Sequence, residues 1–432
     1  MTDNMYSVEI KAHELPVPLD EFRLKALAWA DQFPNVAYYN PNDIPYPHNG
    51  FQHMLAVSSG PALTFEETSS LDDLRKHLKE NKSLLCGYLG YDLKNQIEAL
   101  FSQNIDKLGF PLLHFFEPIL ILNFNHEDIR ISNSEVISKK IISDILATPT
   151  PLPASPIGLE IKQRVSPDDY KLNVEHIKEH VVVGNVYELN YCIEFYAEKV
   201  HVQPLPLYLA LNAASPTPFS GYLKCSGKYL LCASPERFLK KERSKLISQP
   251  IKGTIKRGAT AEEDQELQYQ LRNDEKELAE NMMIVDLVRN DLRRSCATGS
   301  VHVEEMFGIY GFKQVSQMIS TIIGELRPEC DITDALLGTF PMGSMTGAPK
   351  ISAMQLIEEL EETRRGLYSG AFGYIMPNQD FDFNVVIRSL QYNASTGYLS
   401  FMVGSAITYD SDPEKEYQEC LLKAQAMMQV LG

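Results

Sequence analysis

Apolar positions along the chain change their period several times, and each change marks an element. Over residues 274–290 they fall three to four apart, at Leu278, Met282, Val285 and Val288, which predicts an amphipathic helix. Similar spacing predicts helices over 71–82, 167–183, 350–361 and 413–430. Runs rich in β-branched and aromatic residues predict strands over 83–91, 119–124, 187–196, 229–233 and 245–251. Three more follow at 369–376, 383–392 and 398–407. Long strands next to one another, with helices in separate blocks, predict an α+β fold with largely antiparallel sheets. No internal repeat or low-complexity tract interrupts the pattern.

One stretch breaks the periodicity altogether. Residues 148–156 hold four prolines in nine positions and read as a linker. It separates an N-terminal region, 1–147, from a larger region, 157–432, that carries the candidate chemistry. Composition adds limits. A chain of 432 residues, 44% hydrophobic and 22% charged, can bury a sizeable core. Its net charge of −17 excludes nucleic acid as the main partner, because phosphate binding needs a basic face. A small anionic substrate needs only a local basic pocket and stays open. No run approaches the roughly 20 apolar residues of a membrane span. Met1-Thr2-Asp3-Asn4-Met5 opens no basic-then-apolar signal segment, so a cytoplasmic protein without membrane contact is expected. The seven cysteines form no CxxC pair and read as buried free thiols.

Several positions stand out chemically. In Pro250-Ile251-Lys252-Gly253-Thr254 a lysine lies between a stiffening proline and a permissive glycine, as an aimed amine nucleophile would. Glu236, in Ser234-Pro235-Glu236-Arg237, could supply an acid to the same pocket. Glu277 and Glu280 share a helix face, and Glu416 and Glu419 repeat the spacing on the last helix. Four carboxylates on two helices suit a hard ion such as Mg²⁺, although each pair alone reads equally as a solvated acidic face. Glu358, Glu359, Glu361 and Glu362 are expected to be such a face. The loop Gly343-Ser344-Met345-Thr346-Gly347, opening a helix, could cradle an anion or be an ordinary turn. Arg388 could fork a carboxylate, and Tyr368 could lend a hydroxyl.

Taken in order, these segments resemble the chorismate-utilising enzymes. The resemblance covers about 165–432 and includes Glu277-Leu278-Ala279-Glu280-Asn281, Gly343-Ser344-Met345-Thr346-Gly347-Ala348-Pro349-Lys350, Ile387-Arg388-Ser389 and Glu416-Tyr417-Gln418-Glu419. It is weaker at Gly87-Tyr88-Leu89-Gly90-Tyr91-Asp92. It implies a two-sheet sandwich of the anthranilate-synthase type, with 157–432 as the chorismate-binding catalytic region and 1–147 completing the sandwich. It also implies Mg²⁺, with Glu280 and Glu419 as direct ligands and Glu277 and Glu416 acting through water. Ser344, Tyr368, Arg388, Gly404, Ser405, Gln317, Thr254 and Lys423 would hold the substrate. Lysine at 252 resembles the aminodeoxychorismate synthases, whereas anthranilate synthases carry alanine there. Glu188 stands where isochorismate and salicylate synthases place a water-activating lysine, and where a glutamine is otherwise usual. Gln317 replaces the usual histidine and Ala406 a usual glycine. Chorismate amination at C4 is therefore expected, with Lys252 attacking C2, Glu236 as general acid, and ammonia from a separate glutamine amidotransferase subunit. Anthranilate synthesis, or a non-catalytic regulatory relative, is the alternative. For attack, the Lys252 amine is expected to be partly neutral, by desolvation and neighbouring cations, unless Mg²⁺ first neutralises the acidic residues.

Overall fold

Strands from both ends of the chain interleave in two large sheets. The structure, a computed structural model, describes residues 7–65, 71–313 and 315–432. The first sheet has 12 strands and runs Ser7–Lys11, Asp128–Ser132, Leu120–Phe124, Met54–Ser58, Asn35–Asn40, Phe219–Cys225, Lys228–Ser234, Ser389–Asn393, Tyr398–Ile407, Glu188–Ala197 and Gly347–Ala348, with Lys162–Gln163 beside Glu188–Ala197. The second has 10 and runs Ile251–Lys256, Val315–Glu325, Lys245–Gln249, Arg237–Glu242, Phe381–Val385, Ala371–Ile375, Leu85–Leu89, Leu113–Phe116 and Ala62–Phe65, with His302–Gly311 beside Val315–Glu325. Every ladder among these strands is antiparallel, as the sequence predicts. Tyr39, Phe51, Tyr88, Phe219 and Phe372 pack between the sheets. The helices Pro167–Val182, Lys350–Leu360 and Pro413–Leu431 cover the outer face of the first sheet. Glu275–Arg293 and Ile332–Thr339 cover the second.

Three expected elements differ in detail, each for a physical reason. The strand expected over 383–392 is two strands in different sheets, Phe381–Val385 and Ser389–Asn393. Arg388 makes the crossing with φ 50°, a left-handed backbone that breaks the extended run of a regular strand. The strand expected over 245–251 is interrupted at Pro250, which has no N–H to give the ladder. In the helix Glu275–Arg293, Met282 is 49% exposed rather than inward, because Glu280 and Asn281 take the buried face. That polar turn faces the site.

The proline-rich segment 148–156 is irregular backbone between the helix Glu135–Ala147 and the strand Lys162–Gln163. It is tied to the body where Lys25 Nζ donates to the Thr148 carbonyl at 2.7 Å and Ala154 N–H to the Pro206 carbonyl at 2.9 Å. All seven cysteines are free, and all but Cys330 are buried. Among the described residues no helix is long and apolar enough to cross a membrane.

Candidate active site

A cavity of about 490 Å³ opens where the two sheets meet two helices. Its walls come from Ile251–Lys256, Val315–Glu325, Tyr398–Ile407, the turn Gly343–Met345 and the helices Glu275–Arg293 and Pro413–Leu431. The volume suits a small ligand. Glu236, Lys252, Thr254, Glu277, Glu280, Gln317, Ser344, Tyr368, Arg388, Gly404, Glu419 and Lys423 all line it. Two of the expected metal and substrate ligands do not. The Ser405 hydroxyl points to the opposite sheet face and bonds the Tyr170 hydroxyl at 2.8 Å, since neighbours on a strand alternate faces. Glu416 is buried behind Lys276.

The aim of Lys252 is set by its backbone. The ladder to Val315–Glu325 shifts register between Ile251 and Thr254, so Lys252 and Gly253 form a bulge. Gly253 has φ +97° and packs so closely that a Cβ there would lie 3.2 Å from Leu271 and Met318. The bulge turns the lysine into the cavity, where Nζ donates to Glu188 Oε1 at 2.8 Å. Burial works against the ammonium, but the carboxylates of Glu188, Glu280 and Glu419 outweigh it and raise the pKa above the ordinary lysine value. Negative charge dominates around Lys252 and favours its ammonium form, the reverse of the expected partly neutral amine so long as no Mg²⁺ neutralises those carboxylates.

Glu236 shows the reverse balance. It is 4% exposed, and burial pushes its carboxyl up to about 7, with Ser344 and Lys252 pulling the other way. A carboxylic acid that keeps its proton near neutrality can donate it. Across the cavity, the half-buried Arg388 makes no side-chain hydrogen bond or ion pair among the described residues. A guanidinium stripped of water and left without a carboxylate is prepared to receive one. Gln317, 4% exposed, also has a side-chain oxygen without a partner.

Supports behind the wall were harder to find from sequence. Arg365, 2% exposed, holds Glu361 through Nε at 2.9 Å and Nη2 at 2.6 Å, and donates to the Asn190 carbonyl at 2.8 Å and the Met345 carbonyl at 2.5 Å. Glu361 also accepts from Cys192 N–H at 2.9 Å. Glu361 is therefore a buried brace, not part of a solvated acidic face; Glu358 likewise accepts from Gln103 N–H at 2.6 Å. Of the glycine-rich loop, only Ser344 and Met345 reach the cavity, and Gly347–Ala348 is instead a short strand paired with Glu188–Leu189. The N-terminus of the following helix does not face the cavity. Lys350 there anchors the loop through Asp291 at 2.6 Å and the Pro341 carbonyl at 2.8 Å. Gly404 admits no side chain: a Cβ would lie 2.5 Å from Cys192 Sγ.

At the helix side, carboxylates crowd together. Glu277 is pushed up to about 7 by burial and then by Glu280 and Glu419, and Glu280 is raised chiefly by burial. Glu419 is held low by Lys423, whose Nζ lies 2.7 Å away and also donates to the Gly404 carbonyl at 2.8 Å. Lys276 stands 3.6 Å from Glu280 and 3.2 Å from Glu416. Among the described residues no group of three carboxylates is close enough to form a ready-made metal cage. The oxygens nevertheless fit a hard divalent ion in kind: mutually repelling carboxylates line the wall, and Glu416 Oε2 is buried without a partner. Lys276, four residues before Glu280, supplies positive charge there and was not singled out from the sequence.

Comparison with known proteins agrees with this geometry. Residues 34–429 match the family described as chorismate binding enzyme. Aminodeoxychorismate synthase component 1 of Bacillus subtilis is 36% identical over 362 residues, covering 80% of this chain and 76% of that protein. Anthranilate synthase component 1 of Thermus thermophilus is 34% identical over 359 residues, covering 80% and 77%. Among solved structures, anthranilate synthase component I from Streptococcus pneumoniae TIGR4 superposes with a TM-score of 0.77 at 29% identity, covering 89% of this chain and 94% of that one.

Proposed function

The chain belongs to the chorismate binding enzymes, and from that premise we propose that it is component I of an aminodeoxychorismate synthase, a transferase that replaces the C4 hydroxyl of chorismate by an amino group. Relatives of two activities lie at 36% and 34% identity, so overall similarity does not choose between them. The observation that carries the choice is a lysine, Lys252, in one cavity with Glu236, whose carboxyl is pushed up to about 7, and with Arg388. By resemblance, an anthranilate synthase carries alanine at 252. Gln317, in place of the usual histidine, can hydrogen-bond but cannot shuttle a proton as imidazole does, which favours stopping before pyruvate is lost.

In the proposed reaction Arg388 and Ser344 hold the substrate's carboxylates, and Tyr368 and Gln317 border the ring. The Lys252 amine bonds to C2 as the ring double bonds shift and the C4–O bond breaks. Glu236 gives its proton to the departing hydroxyl, which leaves as water. Ammonia then bonds to C4, the double bonds shift back, the C2–N bond breaks to return the amine to Lys252, and the ammonium formed at C4 gives a proton back to Glu236. Mg²⁺, held by Glu280 and Glu419 with Glu277 and Glu416 behind, would neutralise the acidic wall and bind a substrate carboxylate. Ammonia would come from a partner glutamine amidotransferase or from solution. A separate lyase would carry the product on to p-aminobenzoate and folate.

Pure protein incubated with chorismate, Mg²⁺ and ammonium is expected to give aminodeoxychorismate, identified by mass. Lys252→Ala is expected to slow that reaction or divert part of it to anthranilate. Anthranilate as the parent's main product, or an unchanged product and rate in Lys252→Ala, would falsify the reading.

A further inference from the structure

Lys252 Nζ donates to the buried carboxylate of Glu188, a pairing that favours the ammonium, and an ammonium has no lone pair with which to attack carbon. Its proton must therefore leave before the proposed covalent step. Glu188 is positioned to take it. Its Oε1 accepts from Lys252 Nζ at 2.8 Å, the one side-chain hydrogen bond that Lys252 makes among the described residues. Glu188 is 2% exposed, so the pair is kept out of solvent. Its position is fixed by backbone: it opens the strand Glu188–Ala197 and pairs with Ala348, while Tyr187 N–H donates to the Ala348 carbonyl at 2.7 Å. The other carboxylates that act on Lys252, Glu280 and Glu419, face the cavity and form no ion pair with it. Glu188 Oε2 is buried with no partner at all. An orphaned acceptor in a dry site is costly, and one that gains a donor during reaction removes that cost at that moment.

The geometry assigns to Glu188 the role of proton acceptor that converts Lys252 into a nucleophile, an inference that rests on the covalent reading above. One proton passes from Nζ to Oε1, leaving a neutral amine and a neutral carboxylic acid. Rotation about Cε–Nζ then turns the lone pair toward the cavity and an N–H toward the unpartnered Oε2. After ammonia has displaced the lysine, the proton returns and the ion pair re-forms, so no net proton is taken up. A carboxylate at 188 thereby does for an amine what a lysine at that position does for water in related enzymes by resemblance, and glutamine could not do it.

The test is the rate at which a covalent adduct appears, followed by intact-protein mass on mixing with chorismate and Mg²⁺ without ammonia. The parent is expected to gain the mass of chorismate less one water, mapping to Lys252. Glu188→Gln, which keeps the acceptor oxygen but cannot take a proton, is expected to form it at least about 10²-fold more slowly at saturating chorismate, with chorismate affinity changed only a few-fold. Glu188→Ala is expected to regain part of the rate with added formate, a small carboxylate that fits the space, and this covers the case in which the glutamine variant folds poorly. An adduct formed at the parent rate by Glu188→Gln overturns the inference and leaves the lysine reading standing. Slowing that disappears at saturating chorismate also overturns it, since Glu188 would then only position. Absence of the adduct in the parent overturns both.

Discussion

Glu236 and Lys252 occupy one cavity under opposite electrostatic balances. Burial dominates at Glu236 and keeps its proton on; carboxylates dominate at Lys252 and keep its proton on as well. The acid is ready and the nucleophile is not, so the free site is poised for only half of the proposed step. Two consequences follow for Glu236. Its carboxyl is pushed up to about 7 from an ordinary 4.5, so the fall of kcat/KM with rising pH should be centred near 7. Glu236→Gln keeps the shape but has no proton to give, and turnover should drop by roughly 10²–10⁴; a few-fold drop would assign Glu236 to positioning alone. The raised value also bears on folding. Below 4.5 the acid is neutral in both states and has no effect, but above it the unfolded chain ionises while the folded one resists. Native Glu236 therefore costs about 3 kcal/mol at pH 8, and Glu236→Gln should be more stable than the parent there, with the gain fading toward pH 5. Thermal melts at the two pH values read the difference. Lys252 itself was legible from Pro250-Ile251-Lys252-Gly253-Thr254, whereas its partner Glu188 lies 64 positions away in the other sheet, and only the meeting of the two sheets brings the pair together.

Elements show where hydrophobic pattern stops being informative. On the helix Glu275–Arg293 the pattern points Met282 inward, yet the buried face carries Glu280 and Asn281, with Asn281 accepting from the Ser320 hydroxyl at 2.6 Å and donating to the Lys252 carbonyl at 3.3 Å. A helix that builds a polar site inverts the usual rule over one turn, and periodicity cannot register that. The break at Arg388 was hidden for a similar reason: an apolar run reads as one strand whether or not it changes sheets. The two glutamate pairs were legible, because the spacing repeats on two helices. Their crowding predicts a separable effect. Glu280→Gln should abolish Mg²⁺-dependent turnover by removing a cavity-facing oxygen donor. The same change removes a buried carboxylate whose pKa is raised, and a raised carboxylate opposes folding above its unfolded value. Metal-free Glu280→Gln should therefore melt no lower than the parent at pH 8. A variant that keeps full Mg²⁺-dependent activity would remove Glu280 from the metal-binding set.

At the scale of the whole molecule, the proline-rich segment that looks like a boundary in sequence divides nothing in the sheets. Asn35–Asn40 pairs with Phe219–Cys225, and Leu85–Leu89 pairs with Ala371–Ile375, so each sheet is built from both sides of 148–156. Tyr39 stacks on Phe372 at 4.8 Å between ring centres, which joins the two regions through the inter-sheet core. The site lies wholly within the later region, but the sheets that aim its residues do not. A fragment beginning at residue 157 would leave Phe219–Cys225 and Ala371–Ile375 as long bare edges, and would uncover Phe219 and Phe372 where Tyr39, Phe51 and Tyr88 had packed. Bare edges beside uncovered aromatics invite pairing between chains. The fragment should therefore aggregate when made alone. A single cut near Leu152, whose side chain is 76% exposed, removes no strand and no core residue, so the two pieces should stay together through size-exclusion chromatography and keep chorismate-dependent activity. A fragment that runs as a monomer and melts cooperatively would show that the later region folds by itself. Dissociation of the nicked pieces under native conditions would show that the shared sheets hold more weakly than their pairing implies.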